Sequence, residues 1–314
     1  MREIILTQNQ AGRRFDRFLF SYLVNAPHSL VYKLLRTKRI KLNGRRAAGN
    51  ELTAIGDKVA FYLSPETLQG FIAAEDAPLS GNWGPVDIIY EDEHILLVNK
   101  PAELLTHSDK AGGQDTLVDR LAYYLQTEGL PSAGGLFKPS VCNRLDRNTS
   151  GLVACGKNMA AVQALNAVFA ARKVEKTYLA IVCGQLEGRG DLRGRLSKDE
   201  KTNRSYVSES GMAAHTEYEC VKVGAGLSGS EKFSLLKLKL HTGRHHQIRA
   251  HLSDIGHPLA GDVKYGGVQL AGDPYQLMLH CLSLKFLKHE SVPVYLAGKE
   301  WQAPVPDKFM EVMG

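Results

Sequence analysis

Residues 142–151 read Cys-Asn-Arg-Leu-Asp-Arg-Asn-Thr-Ser-Gly, and an apolar run at 152–155 follows them directly. This order predicts a polar turn that enters a buried β-strand. Within the turn, Asp146 lies between Arg144 and Arg147, whose positive charges favour the ionised carboxylate. A carboxylate held ionised on a rigid turn can act as a nucleophile or a base. The decapeptide by itself favours another interpretation, in which the aspartate caps its own turn and pairs with a surface arginine.

Strand and helix patterns surround this turn on both sides. Residues 87–90 and 94–98 predict a hairpin with an acidic turn, and residues 178–182, 216–223 and 233–240 predict further strands. Residues 116–126 and 158–172 predict helices, the second with Asn158 as its N-cap. We therefore expect an α+β fold, in which helices pack on a mixed, largely antiparallel sheet.

Basic residues are concentrated near the N-terminus. Residues 1–63 hold twelve Lys and Arg against four Asp and Glu, a net charge of +8, whereas the whole chain carries +6. A run without any acid contains seven of these basic residues: Lys33, Arg36, Lys38, Arg39, Lys41, Arg45 and Arg46. A solvated charged face is the commoner meaning of such a run. Its density here favours a polyphosphate partner, and we predict that this region binds nucleic acid.

The same region predicts a small α/β domain. Apolar residues at helical spacing indicate two short helices, the second capped near Ser29 behind Pro27. Strands at 40–42 and 58–63 follow, with an Asn43-Gly44 turn after the first. Residues 64–84 gather Pro, Gly, Ser and acids and predict a linker. The expected organisation is a domain at 1–63, a linker at 64–84 and a domain at 85–314, and two domains agree with the chain length.

Cysteine usage and hydropathy bear on where the protein resides. Its five cysteines are odd in number and widely scattered, which fits reduced thiols better than disulfides or a metal site. No apolar run approaches the roughly 20 residues that span a bilayer, and the first residues lack a signal-peptide pattern. We expect a cytoplasmic protein without a membrane anchor.

Two further patterns suggest ligands. Residues 239–252 contain four histidines and two arginines, Arg244 and Arg249, beside a predicted helix start. With no HExxH motif, cysteine or carboxylate among them, we predict no metal site; the arginines could bind phosphate or pair with Asp146. Residues 224–229 match GxGxxG, but a strand follows where a dinucleotide fold needs a helix, so a hairpin loop and no nucleotide cofactor are expected.

Five motifs follow one another along the chain: Tyr-Glu-Asp-Glu-His-Ile-Leu-Leu-Val-Asn-Lys-Pro at 90–101, the turn at 143–151, Lys-Thr-Tyr-Leu-Ala at 176–180, Thr-Gly-Arg-His-His-Gln-Ile-Arg-Ala-His at 242–251 and Gly-His-Pro-Leu-Ala-Gly-Asp at 256–262. In sequence and order they resemble the motifs of the RluA-type pseudouridine synthases. The basic N-terminal region is similar to the αL-motif RNA-binding domain of a small-subunit ribosomal protein. The resemblance covers residues 12–63 and 86–306.

This resemblance implies an enzyme that isomerises specific uridines in structured RNA, most simply large-subunit ribosomal RNA, by flipping the base and rejoining it through carbon. It implies a monomer that needs no cofactor. Asp146 would be the nucleophile or base, Arg249 its cationic partner, and Tyr178 the residue that stacks on the flipped base and whose hydroxyl serves as a general base. Arg144, Arg244 and His107 would be further RNA contacts. Covalent attack and elimination through a glycal both remain open, as do transfer RNA as substrate and a non-catalytic RNA-binding protein.

One position departs from the family pattern. Asn143 stands where the family usually has histidine, three residues before the aspartate. Asparagine can form hydrogen bonds at a turn, but it cannot titrate near neutral pH. The departure therefore puts acid–base or base-flipping help from this position in question, and it leaves the role of Asp146 intact.

Overall fold

The computed structural model describes residues 1–7, 9–72, 83–108, 115–127, 139–225, 231–270 and 277–313. Its N-terminal part is a small sheet with helices packed on it. The elements are β1 (Arg2–Ile5), α1 (Phe15–Tyr22), α2 (His28–Arg36), β2 (Ile40–Leu42), β3 (Arg45–Arg46), β4 (Lys58–Phe61) and α3 (Pro65–Phe71). The strands lie in the order β1-β4-β2-β3. Buried apolar residues of α1, α2 and β4, among them Phe15, Val31 and Phe61, form a core of their own.

Two details of this part differ from the prediction. Helix α2 begins at His28 with Pro27 as N-cap and no side-chain cap, so the predicted cap near Ser29 is wrong. The predicted linker begins with helix α3, whose N-cap Ser64 accepts a hydrogen bond from the backbone N–H of Thr67. Leu68 of α3 is buried in the N-terminal core, so residues 64–71 pack with this part of the chain. Residues 73–82 of the predicted linker lie outside the described residues.

The larger part is built on one extended sheet with helices packed against it. Its elements are β5 (Ile88–Glu91), β6 (Ile95–Lys100), α4 (Leu117–Thr127), β7 (Ser140–Val141), β8 (Ser150–Gly156), α5 (Met159–Ala170), β9 (Val174–Cys183), β10 (Arg189–Asp199), β11 (Arg204–Val207), β12 (Met212–Ala225), β13 (Lys232–Leu240), α6 (Gln247–Asp254), a 3₁₀ turn (Val263–Tyr265), β14 (Leu279–Phe286), β15 (Glu300–Gln302) and α7 (Asp307–Met313).

The strand order of this sheet is β11-β10-β12-β13-β9-β14-β8-β6-β5, with β15 beside β14 and β7 beside β8. Neighbouring strands are antiparallel except β14 and β8, which are parallel. The expected α+β fold with a mixed, largely antiparallel sheet is thus confirmed. The hairpin at 87–98 and the helix capped by Asn158 are confirmed as well. Strand β13 follows the glycine-rich segment as predicted, whereas residues 226–230 of that segment are outside the described residues.

Helix α5 lies between the two parts. Gln163 donates a 2.6 Å hydrogen bond to the carbonyl oxygen of Gly12, and the backbone N–H of Met159 lies 3.4 Å from the side-chain oxygen of Asn9. The other end of the helix, at Phe169 and Ala170, lines a cavity described below. The N-terminal part therefore packs against the helix that leads to this cavity.

No helix within the described ranges is long and apolar enough to cross a lipid bilayer.

Candidate active site

The turn that carries Asp146 joins β7 to β8, and buried side chains hold its backbone. The ammonium of Lys100 donates to the carbonyl oxygens of Pro101, Leu104 and Arg147 at 2.7, 2.8 and 3.0 Å. Thr106 donates to the carbonyl oxygen of Leu145 at 2.9 Å. The backbone is thereby fixed on both sides of Asp146. Burial lowers the pKa of Lys100 to about 7, and the nearby charge of Asp146 opposes this shift.

Gly151 ends the turn at a place where no side chain fits. Its φ is +112°, and a Cβ built there would lie 2.2 Å from the carbonyl oxygen of Cys281 on β14. Any larger residue would push β8 away from β14, its parallel neighbour. The glycine of the Asn-Thr-Ser-Gly segment therefore allows the close strand pairing that supports the Asp146 turn from behind.

Asn143 has a structural role in this turn. Its side-chain amide donates to the carbonyl oxygen of Leu152 at 3.1 Å, and its side-chain oxygen accepts from the backbone N–H of Ala154 at 2.8 Å. The side chain thus continues the pairing of β7 with β8 by one more residue. Because both of its polar groups are engaged with β8, this departure from the family pattern stabilises the turn.

The flanking arginines do not pair with Asp146 as predicted. Arg147 donates to the carbonyl oxygen of Glu103, and Arg144 is exposed. Across the described part of the chain, the arginine within 4 Å of the Asp146 carboxylate is Arg249, whose Nη1 lies 3.6 Å from Oδ2. The sequence of the turn was misleading here, because the arginine that approaches Asp146 comes from a distant segment, helix α6.

Arg249 is fixed by a second aspartate. Its Nε and Nη2 donate to the two carboxylate oxygens of Asp262, each at 2.7 Å, and the Asp262 side chain is 1% exposed. The guanidinium also lies 4.8 Å from the ring centroid of Tyr265. Burial acts to lower the pKa of Arg249, but the hydrogen bonds and charge of Asp262 outweigh it and the pKa is raised. Arg249 is thus a permanent cation that presents its remaining nitrogen to Asp146.

His246 is the third member of this group. Burial, and then the charge of Arg249, lowers its pKa to about 2, so the ring is neutral and its 3.6 Å approach to Asp146 is not an ion pair. Its Nε2 lies 3.1 Å from Nη1 of Arg249. Because a guanidinium nitrogen can only donate, Nε2 must accept, and we assign the ring proton to Nδ1. Nδ1 lies 3.0 Å from the hydroxyl of Tyr265. His246 therefore accepts from Arg249 and orients it.

Gln247 anchors the segment that carries these residues. Its side-chain oxygen accepts from the hydroxyl of Thr242 and the backbone N–H of Arg244. Its side-chain amide donates to the carbonyl oxygen of His215 and to the hydroxyl of Thr216 on β12. Because Gln247 is buried, these bonds are shielded from water and hold the start of α6 on the sheet.

Tyr178 lies on β9, where it lines the cavity together with Asp146. Its side chain is buried, and its hydroxyl is hydrogen-bonded to the thiol of Cys281 on the neighbouring strand. Burial, followed by the charges nearby, raises the pKa of Tyr178 well above 10. Burial also raises the pKa of the Cys281 thiol to about 12, so this neighbour does not remove the phenolic proton. These groups favour a protonated phenol over the general base that the resemblance implies.

Two adjoining cavities share the Asp146 carboxylate. The first, of about 510 Å³, is lined by Asp146, Tyr178 and Arg249, and the second, of about 810 Å³, by Asp146, Arg249 and His107. Arg144 and Arg244 line both. The first lies within the size range of pockets that bind small organic groups. Among the described residues, the carboxylate that lines it is that of Asp146, whose side chain is 35% exposed and therefore open to a ligand.

The structure brings six of the predicted site residues to these cavities, and it places the N-terminal basic residues elsewhere. Those that line one or both cavities are Asp146, Tyr178, Arg249, Arg144, Arg244 and His107. The residues that the sequence analysis did not single out are Lys100, His246, Asp262 and Tyr265. The first three lie inside the motifs at 90–101, 242–251 and 256–262. The motifs therefore indicated which segments form the site, but not which side chains pair with each other.

Chemically, the site offers an accessible carboxylate beside a fixed cation. The guanidinium of Arg249 lies 3.6 Å from the Asp146 carboxylate, and the cavity that they line has partly apolar walls. Tyr178 offers an aromatic ring in the same cavity. Such an arrangement can place a planar base on the tyrosine and its attached sugar at the carboxylate.

Known proteins are similar to this chain in sequence and fold. A model of the RNA pseudouridylate synthase family matches residues 94–254. An uncharacterised RNA pseudouridine synthase of Aquifex aeolicus is 36% identical over 262 residues, which are 81% of this chain and 77% of the relative. Ribosomal large subunit pseudouridine synthase D of Zymomonas mobilis is 32% identical over 271 residues, which are 84% of this chain and 80% of the relative.

A solved structure adds evidence on the fold. Human RNA pseudouridylate synthase domain containing 1 has a TM-score of 0.54 at 24% identity, over 74% of this chain and 96% of its own. The fold of the larger part is therefore the one seen in that protein. Together with the family match and the two relatives, this places the chain among the RNA pseudouridine synthases, enzymes that isomerise uridine in RNA.

Proposed function

We propose that the chain converts one or more uridines of large-subunit ribosomal RNA to pseudouridine, with Asp146 as the reacting carboxylate. The observation that carries the role of Asp146 is its position: it is accessible, lines the cavity that holds Tyr178, and lies 3.6 Å from the buried Arg249. The choice of RNA is supported by the Zymomonas mobilis relative, which is named for the large ribosomal subunit.

In the proposed reaction the bond between the uracil nitrogen and the sugar breaks, the uracil turns within the cavity, and a carbon of the base bonds to the same sugar carbon. That carbon then loses its hydrogen as a proton, and the freed nitrogen gains a proton, so the product is an isomer of the substrate. Nothing is oxidised or reduced, so the step needs no redox partner. Asp146 either attacks the sugar carbon or removes a proton from the sugar, and both pathways use the same ionised carboxylate. Arg249 places a positive charge 3.6 Å from the Asp146 carboxylate, and Tyr178 supports the face of the flipped base.

A uridine in structured RNA must leave its stack to reach Asp146. Extrusion costs a few kcal/mol, and contacts to the RNA backbone can offset this cost. Arg144, Arg244 and His107 line the cavity mouths and are proposed to make such contacts. Burial, and then the charge of Arg144, lowers the pKa of His107, so at neutral pH this ring contacts RNA as a neutral hydrogen-bonding group.

The N-terminal part is proposed as an αL-type RNA-binding domain. Six of its seven clustered basic residues are exposed: Lys33, Arg36, Lys38, Arg39, Arg45 and Arg46. The seventh, Lys41, is half-buried, with its ammonium 4.8 Å from the ring centroid of Tyr62. Exposed cations of this density supply phosphate contacts that position an RNA without reading its sequence. We further propose that the protein acts as a monomer in the cytoplasm, in keeping with its five free cysteines.

The test compares wild type with Asp146→Asn, which keeps the shape and removes the charge. Each protein is incubated with unmodified large-subunit ribosomal RNA and, separately, with transfer RNA, and pseudouridine is mapped by carbodiimide adducts and primer extension. Asp254→Asn, an exposed aspartate at the end of α6, is the matched control.

We expect discrete stops in ribosomal RNA with wild type and Asp254→Asn, and none with Asp146→Asn although it binds the RNA. Stops in transfer RNA alone would leave the role of Asp146 intact and overturn the choice of substrate. Binding without any pseudouridine in either RNA would favour the non-catalytic alternative.

A further inference from the structure

Three strands bring two histidines and two carboxylates together on one face of the sheet. His215 and Glu217 lie two residues apart on β12, so their side chains share a face. Asp191 on β10 is the cross-strand partner of Glu217, and His241 follows the end of β13, where its backbone N–H donates to the carbonyl oxygen of His215. The four side chains come from segments far apart in sequence, which is why the histidine-rich stretch alone predicted no metal site.

The side chains converge at their polar ends. The rings of His215 and His241 stack with centroids 4.0 Å apart and planes 7° apart. Oε1 of Glu217 lies 2.9 Å from Nε2 of His241 and 3.6 Å from Nε2 of His215, and Oδ1 of Asp191 lies 2.7 Å from Nε2 of His215. Both Nε2 atoms are inaccessible to solvent, and these carboxylate oxygens are the polar atoms that face them.

Three carboxylates around this cluster pair with a lysine or an arginine. Glu175 pairs with Lys239, Glu219 with Arg189, and Asp191 with Arg193 through its other oxygen. In the described part of the chain, Glu217 forms no ion pair with lysine or arginine: Lys239, its cross-strand partner, is paired with Glu175. The basic groups within 4 Å of the Glu217 carboxylate are the two imidazoles. A carboxylate that faces two imidazole nitrogens is a donor set suited to a cation.

We propose that His215, Glu217 and His241 form a site for a divalent transition-metal ion of the Zn²⁺ class, with Asp191 as a further oxygen donor. The three ligand atoms of the first set lie within 4.8 Å of one another. Imidazole with carboxylate suits Zn²⁺ and similar ions, whereas Mg²⁺ and Ca²⁺ favour sites made of oxygen alone. This inference does not depend on the proposed substrate or on Asp146.

Binding requires a small rearrangement that the site permits. The rings lie in nearly parallel planes with centroids 4.0 Å apart, so their in-plane Nε2 lone pairs do not meet at one point. His215 and His241 must therefore turn until both nitrogens point at one ion. Their side chains are 22% and 31% exposed at the surface of the sheet, which leaves room for this turn. A bound ion would connect β12 to His241, which lines the first cavity together with Thr242 and Gly243. The role we assign to the ion is therefore structural, at the base of the segment that carries His246 and Arg249.

The experiment uses the full chain, freed of metal by a chelator and dialysed against Zn²⁺ for stoichiometry and affinity. Co²⁺ serves as a spectroscopic substitute, because its absorption distinguishes nitrogen and oxygen ligands from sulfur. His215→Ala, His241→Ala and the isosteric Glu217→Gln are compared with His257→Ala, a half-buried histidine that contacts the carbonyl oxygen of Cys183 elsewhere in the fold.

We expect one Zn²⁺ per wild-type chain, a higher Tm with Zn²⁺, and a Co²⁺ spectrum without a sulfur charge-transfer band. Each cluster variant should raise the Kd at least about tenfold, and His257→Ala should leave it unchanged. The proposal fails if wild type binds no ion, if the cluster variants bind as wild type does, or if the Co²⁺ spectrum shows cysteine ligation. The spectrum of wild type decides the ligand type even if a variant fails to fold.

Discussion

Arg249 is bound by Asp262 and directed at Asp146. Two 2.7 Å hydrogen bonds to Asp262 leave Nη1 as the nitrogen that lies 3.6 Å from the Asp146 carboxylate and 3.1 Å from Nε2 of His246. The two aspartates therefore have different roles. Asp262, buried and bidentate, holds the cation in place, and Asp146, partly exposed, remains open to substrate.

This relationship predicts that Asp262→Asn lowers kcat although Asp262 does not touch the substrate in the proposed reaction. Removal of the buried carboxylate charge frees the guanidinium to move toward Asp146, and a displacement of about 1 Å can cost roughly 100-fold in rate. The loss of one partner of a buried pair should also lower the free energy of unfolding by about 3 kcal/mol or more. Single-turnover rates and denaturant unfolding measure both effects.

The control for this variant is Asp254→Asn, which changes an exposed aspartate of α6 and should leave both quantities unchanged. Asp262→Asn with wild-type kcat would show that Arg249 does not need this anchor.

Tyr178 is expected to stay protonated throughout the working pH range. A tyrosine that acts as a general base with a pKa near neutrality would make kcat/KM rise with pH through that pKa. Because the pKa of Tyr178 is raised above 10, no such rise should come from this residue below about pH 10. Tyr178→Phe should show the wild-type pH profile and keep its rate within about tenfold, since the ring still supports the base.

The matched variant Tyr178→Leu removes the ring and should weaken the bound state by about 1–3 kcal/mol. A limb of the wild-type pH profile that disappears in Tyr178→Phe would restore the general-base role.

Asn143 is expected to matter for stability more than for chemistry. Asn143→Ala removes two hydrogen bonds to the backbone of β8 and should lower the free energy of unfolding by about 1–3 kcal/mol. Asn148→Ala, on the same turn, is the control and should change it by less than about 0.5 kcal/mol. A fully stable Asn143→Ala protein that has lost activity would instead assign the residue to the reaction.

The basic face of α2 should determine RNA affinity and its dependence on salt. Lys33→Ala with Arg36→Ala removes two exposed cations from the last turn of this helix. The slope of log K against log salt concentration should become shallower by about 0.7–0.9 for each phosphate that the variant no longer neutralises, with little change in kcat at saturating RNA. Lys285→Ala with Lys288→Ala, exposed cations of the larger part, is the matched pair. An equal effect of both pairs would argue against a dedicated N-terminal RNA surface.

Short-range sequence patterns predicted several helices and strands correctly. Asn158 caps α5 through a 2.9 Å bond from Ala161, and the hairpin at 87–98 forms where alternation and the acidic turn predicted it. Helix α3 was missed: Ser64-Pro65-Glu66 is a helix-start signal, but the composition around it is typical of a linker. The cap of α2 was misplaced by one or two residues, as helix ends often are.

The sequence by itself determined many of the helices and strands and the basic N-terminal surface, and its ordered motifs singled out Asp146 as the candidate reacting residue. Caps, periodicity and motifs depend on residues close together in the chain. Tertiary structure decided which side chains meet: Arg249 with Asp262, Lys100 with the carbonyl of Arg147, and His215 with His241. Those pairings depend on which strands become neighbours in the sheet, and that order follows from the packing of the whole core, which no local pattern encodes.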